Sequence, residues 1–218
     1  MGKATDIEIN NEYYKNLVTQ RVQEDAGLWE EIRGCGLSFV YADGAATSKV
    51  ILIGEAPGKD EVRCGKPFSG KAGAILDEIL EKTGIARDDL YITNTVKYRL
   101  AANGSRPGTL KNRPVKSQEI IYGLDWLKHE IETIRPALII TLGNVSLKAI
   151  LLLKKCAIMS VSACHGKAQN IRIGDADSIL VPLYHPASQI YNHDLRQVFE
   201  EDFYYIRTLY NTILQEEK

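Results

Sequence analysis

The sequence predicts an α/β fold: one domain spanning residues 1–218, with a central, mostly parallel four-stranded sheet flanked by helices on both faces. Two observations predict it. Short apolar, β-branched runs recur along the chain and end in turn formers. Between them lie longer stretches whose apolar residues return every three or four positions, the period of a helix with one face buried. Parallel strands need a crossover about as long as a helix, and this alternation supplies it.

Taken in order, Tyr14, Leu17, Val18, Val22 and Leu28 predict an N-terminal helical segment at about 10–33, broken by Gly34-Cys35-Gly36. Val50 to Ile53 is a short buried strand, and Gly54, Pro57 and Gly58 turn the chain at once. Glycines 70 and 73 open a helix carrying Ala72, Ile75, Leu76, Ile79 and Leu80, with Gly84 at its C′ position. Leu90 to Val96 alternates as a half-buried strand, and a long loop rich in Gly, Asn and Pro follows from Leu100 to Pro114. Ile120, Leu124, Leu127, Ile131 and Ile134 share one helix face that ends before Pro136. Ala137 to Gly143 is the clearest buried strand, and a short helix with Leu147, Ile150 and Leu151 comes next. Ile171 to Ile173 is a weaker strand, and Ile179 to Tyr184 is a last one, running into His185-Pro186. A closing amphipathic helix places Phe199, Phe203, Ile206, Tyr210 and Ile213 on one side.

Composition narrows the function classes. An apolar fraction of 44% with 25% charged residues is ordinary for a globular protein, and no apolar run is long enough to span a bilayer, so no membrane partner is expected. The opening Met1 to Asp6 has no apolar signal core, which gives an expectation of a cytoplasmic protein. Cys35, Cys64, Cys156 and Cys164 form no C-x-x-C pair and fit neither a zinc ribbon nor a disulfide framework, so no metal site is expected. The formal net charge of −1 carries no global polyanion signal. From Thr95 to Gln118, however, Lys97, Arg99, Arg106, Lys111, Arg113 and Lys116 stand without an acid among them, either a phosphate-binding face or a solvated loop.

Singly, the chemistry-bearing residues have plain readings. Glu55 is a loop charge with no second carboxylate to pair with, Phe68 a core aromatic and Asn94 a strand-end amide. His185, fixed by Pro186 at a strand end, is a better functional candidate than a histidine on an apolar helix face. Gly65 to Lys71 satisfies the first seven places of a phosphate-cradling loop, but Ala72 lacks the hydroxyl that would hold magnesium and Pro67 removes one loop amide.

In combination they say more. Gly54-Glu55-Ala56-Pro57-Gly58, then Gly65-Lys66-Pro67-Phe68-Ser69-Gly70-Lys71-Ala72-Gly73, then Thr93-Asn94-Thr95-Val96-Lys97, then Leu142-Gly143, then Tyr184-His185-Pro186-Ala187-Ser188 occur in that order. Together they resemble the uracil-DNA glycosylase superfamily, family 4 in particular, over about Cys35 to Ser188. Asn112-Arg113 and Glu119 also look like the family's Asn-Arg-x-Pro-x-x-x-Glu, with Pro114 moved by one place.

The resemblance implies a monomeric DNA repair hydrolase that flips uracil out of DNA and cleaves its N-glycosidic bond, leaving an abasic site. Phe68 resembles the aromatic that stacks on the extruded base, and Asn94 the amide that reads its N3–H and O4 edge. His185 resembles the donor to O2, and Glu55, with the backbone of Gly54 and Ala56, the loop beside the sugar and attacking water. Lys97, Arg99, Arg113 and Ser188 are the expected DNA contacts, with Ile190 and Tyr191 as the wedge that holds the base out. Family 4 carries an iron-sulfur cluster on four cysteines. Here Cys35 is the only match, the other three positions being Ile32, Tyr98 and about Gly123, so no cluster and no other cofactor is expected. Two rival readings stay open: a DNA-binding module of the same fold without turnover, and a nucleotide hydrolase using the near-complete phosphate loop.

Overall fold

A computed structural model provides the structure, which describes residues 39–215 together with Asn16 and Gln20. The expected N-terminal helix at about 10–33, those two positions apart, and Cys35 lie outside the described residues. Strand β1 (Val50–Gly54) is followed by a short helix α1 (Lys59–Cys64) and by α2 (Lys71–Thr83). Next come β2 (Leu90–Asn94), a hairpin of β3 (Ala101–Asn103) and β4 (Leu110–Asn112), α3 (Ser117–Ile134) and β5 (Leu138–Leu142). The chain continues through α4 (Asn144–Leu153), α5 (Val161–Cys164), β6 (Gln169–Ile173), β7 (Ala176–Leu183), α6 (Ser188–Tyr191) and α7 (Leu195–Gln215).

The central sheet has five strands in the order β2-β1-β5-β7-β6, not the four expected. All neighbours are parallel except β6, which pairs antiparallel with β7, Ile171 opposite Ser178. The fifth strand was faint in sequence for a physical reason: it is an edge strand buried on one face only, so polar Asn170 and Arg172 alternate with Ile171 and Ile173. The loop expected from Leu100 to Pro114 holds the three-residue strands of the β3–β4 hairpin, too short to leave an alternation pattern.

Period-two alternation sorts each central strand onto two cores. Leu52 and Ile140 meet Leu76, Ile79 and Leu80 of α2 and Phe199, Phe203 and Ile206 of α7 on one side. Ile51, Ile53 and Ile139 meet Leu127 and Ile131 of α3 and Leu147 and Ile150 of α4 on the other. The sheet is thereby covered on both faces, and β1, β2 and β5 are buried along their whole length. As expected, Gly84 closes α2 in the left-handed conformation, φ 67°, its N–H bonding the carbonyls of Leu80 and Glu81. Among the described residues, no helix is long and apolar enough to cross a membrane.

Candidate active site

The parallel strands β1, β2, β5 and β7 all end at one edge, and the loops that leave them carry the residues of interest. A cavity of about 320 Å³ opens there, with Ala56, Phe68, Asn94 and His185 in its wall. Gly54, at the end of β1, packs closely against two of these side chains. A Cβ built on that residue would lie 2.3 Å from Oδ1 of Asn94 and 2.7 Å from the Phe68 ring, so only glycine lets the amide and the aromatic close over the end of β1. Register brings Asn94 there, since Gly54 of β1 pairs with Asn94 of β2.

Phe68 is 5% exposed and sits in the turn before α2 with a positive φ of 52°, an unusual backbone for a non-glycine residue. Its ring lies 5.9 Å from that of His185, centroid to centroid, tilted by 30°. His185 follows β7, and its Nδ1 accepts a hydrogen bond from the backbone N–H of Ala187 at 3.2 Å. That bond assigns Nδ1 as acceptor and leaves the ring proton on Nε2. Burial pushes the imidazole pKa down to about 4, so the ring is neutral at ordinary pH and presents one N–H donor.

Glu55 stands between Gly54 and Ala56, half-buried; burial raises its carboxyl pKa above the ordinary value, and its side chain is not among those lining the cavity. The cavity wall includes residues that sequence reading left out of the site. Lys59, Asp60 and Glu61 of α1 and Lys71 of α2 line it, and Oε1 of Glu61 accepts from the N–H of Gly70 at 3.2 Å, tying the two helices together. Nothing in sequence marked α1, which buries no residue and so carries no periodicity. Asn112 also lines the cavity, its Oδ1 accepting from Nε and Nη2 of Arg99 at 3.2 and 3.1 Å. Its place in the Asn-Arg pair was the signal available for it.

Two expected DNA contacts are corrected. Lys97 is 0% exposed, its ammonium bonded to Thr93 Oγ1, to the carbonyl of Asn94 at 2.6 Å and to Glu130 Oε2 at 2.8 Å, out of reach of any phosphate. Arg113 is turned inward and paired through both terminal nitrogens with Glu119, at 2.7 and 2.8 Å. Arg99 is half-buried beside the cavity, while Ser188, Ile190 and Tyr191 form α6, three residues beyond His185. Tyr191 is 88% exposed and Ile190 46%, so this turn raises two apolar side chains into solvent.

The near-complete phosphate loop lacks its context: the short helix α1, not a strand, leads into Gly65, and Lys66 pairs with Asp43 at 3.3 Å. Of the positions that the family-4 likeness assigns to a cluster, the two among the described residues do not fit one either. Tyr98 is buried with its hydroxyl donating to Glu119 Oε1 at 2.9 Å, and a Cβ on Gly123 would lie 2.3 Å from the carbonyl oxygen of Thr95. Neither place offers a thiolate or room for one, and a cubane needs four ligands.

Residues 41–206 match the family model described as the uracil DNA glycosylase superfamily. The type-4 uracil-DNA glycosylase of Saccharolobus solfataricus is 36% identical over 165 residues, 75% of this chain and 72% of that protein. Its counterpart from Sulfurisphaera tokodaii is 34% identical over 171 residues, covering 78% and 74%, and that from Archaeoglobus fulgidus 33% over 166 residues, covering 76% and 79%. The family match over most of the chain and these identities show that the protein belongs to the uracil-DNA glycosylase superfamily, and it is similar to type-4 members.

Proposed function

We propose that the protein excises uracil from DNA by hydrolysing the N-glycosidic bond, leaving an abasic site. The observation that carries this reading is the convergence of the Asn94 carboxamide, the Phe68 ring and the neutral His185 imidazole on one cavity of about 320 Å³, at the low end of the range for small-molecule pockets. The reacting carbon is shielded inside a duplex, so the nucleotide must first leave the stack. The flipped base stacks on Phe68. Asn94 accepts from N3–H and donates to O4; cytosine reverses both roles and would leave buried groups unpaired.

Bond cleavage sends the N1–C1′ electron pair into the uracil ring, building negative charge on O2 and positive charge on the sugar. The Nε2–H of His185 meets the first, and because the imidazole stays neutral it stabilises the anion without giving up its proton. Glu55, on the adjoining loop, is the residue assigned to the sugar cation and to the water that adds to C1′, whose released proton ends on the departing uracil anion. Arg99 and Ser188 hold the strand, and Ile190 and Tyr191 fill the gap left by the base. One chain supplies every group this reading invokes, so a monomer suffices for the reaction. It uses no iron-sulfur cluster or other cofactor: the Tyr98–Glu119–Arg113 network braces that region instead.

The test is incubation with oligonucleotides holding one uracil opposite guanine or adenine, followed by alkali. Strand cleavage at the uracil is expected, from protein in which neither iron nor acid-labile sulfide is detected. Retarded but uncut DNA would replace this reading with a binding module.

A further inference from the structure

Behind Asn94, on the side away from the cavity, lies a group of polar side chains that the chemistry above leaves unused. β2 lies at one edge of the sheet. On its outer side Ile92 exchanges both backbone bonds with Asp43, at 2.8 and 2.9 Å. Two residues on, the carbonyl of Asn94 instead accepts from Nζ of Lys97 at 2.6 Å. The same ammonium donates to Thr93 Oγ1 and to Glu130 Oε2, so its three donors are all used. Glu130 reaches in from α3, and its other oxygen accepts from Tyr91 Oη at 3.0 Å and Thr93 Oγ1 at 2.9 Å.

Both members of the pair are 0% exposed. Taking two charges out of water is costly, and an apolar pair of similar volume would stabilise the fold at least as well. What such a pair would not do is tie Tyr91, Thr93 and Asn94 to α3 through one carboxylate and one ammonium. The tie matters at Asn94 because its Oδ1 is packed over Gly54 with no slack, so a small rotation of the peptide displaces the carboxamide. We propose that Lys97 and Glu130 are positioning residues for base recognition, the buried ion pair fixing the peptide plane of Asn94 and thereby aiming its carboxamide into the cavity. This rests on the cavity being the uracil pocket.

The Lys97→Met/Glu130→Gln double variant removes both charges together and leaves an amide oxygen to accept from Tyr91 and Thr93. Excision of uracil by this variant should fall about 100-fold in kcat, the scale of a misplaced recognition group, while KM for DNA stays within about threefold. Free-uracil binding, followed by calorimetry, should weaken by about tenfold. In an Asn94→Ala background the same pair of changes should cost under about twofold more, because both act through one carboxamide. A double variant within twofold of wild type in kcat, or losses that multiply fully with Asn94→Ala, overturns the proposal. If the double variant does not fold, Thr93→Val, which removes the hydroxyl shared by both charges, should lower kcat with KM unchanged; unaltered kcat overturns it. Wild-type protein that binds uracil without cutting DNA would sink the activity reading alone. The inference is then decided by binding, where equal affinity in both proteins overturns it. Wild type that neither cuts nor binds sinks both.

Discussion

Asn94 and His185 reach the same cavity from opposite sides of the sheet's carboxyl edge, and they are held in opposite ways. Asn94 ends β2, with its peptide clasped by an ammonium whose counter-charge is equally buried. His185 lies on the loop after β7, oriented by one backbone N–H on Nδ1 and by contact with the Phe68 ring. On one wall, charge is spent on geometry behind the amide. On the other, charge is withheld, since desolvation keeps the imidazole neutral where a substrate oxygen turns negative. An amide reading a neutral edge needs placement, whereas a donor to a developing anion needs the right protonation state.

The largest effect that would break this contrast lies on the Asn94 wall. Lys97→Ala strands the Glu130 carboxylate in the core and should destabilise the protein by about 3–5 kcal/mol in urea unfolding. A loss under about 1 kcal/mol would mean that the pair does not hold β2 to α3. On the other wall, His185→Ala should raise the barrier to bond cleavage by about 2–4 kcal/mol, read as single-turnover excision, with little change in DNA affinity. A rate loss under about twofold would remove His185 from the chemistry.

Acid sharpens the comparison further. The folded-state pKa of His185, about 4, lies below its unfolded value of 6.5, so between these limits the unfolded chain binds more protons. Its contribution to stability is therefore fully present above pH 6.5 and lost as pH falls towards 4, by up to roughly 3 kcal/mol. His185→Gln should flatten that part of the unfolding profile, and an unchanged slope would show that the imidazole is not held neutral. The smallest effect belongs to the rim: Tyr191→Ala should leave stability within about 0.5 kcal/mol, because the ring is solvated. It should lower excision from duplex by about tenfold, the value of one lost stacking contact, and spare single strands, where there is no gap to fill. Equal losses on both substrates would mean that Tyr191 is no wedge.

Much of the cavity was legible before the structure because its residues stand where strands end. Gly54, Phe68, Asn94 and His185 each sit in or beside a turn that interrupts an apolar run, and their order along the chain carries the family likeness. Lys97 and Arg113 were misplaced because a charged letter in a basic stretch says nothing of which way it points. Their partners, Glu130 and Glu119, lie on α3, and only the docking of that helix against β2 and the turn after it reveals the pairing. The hairpin and α1 were missed because each is too short or too solvated to impose a hydrophobic period, and β6 was read only as a weaker strand because one of its faces is solvated.

The hairpin has a use beyond its missing signal. Its strands close in register at Ala101 opposite Asn112, two residues after Arg99, and Arg99 and Asn112 are bonded side chain to side chain at its root. Residues can be added or deleted at the distal tip, between Asn103 and Leu110, while the base of the ladder keeps Asn112 in the cavity wall. Such a stem separates the length of the tip from the geometry of the pocket wall, so one can change without the other.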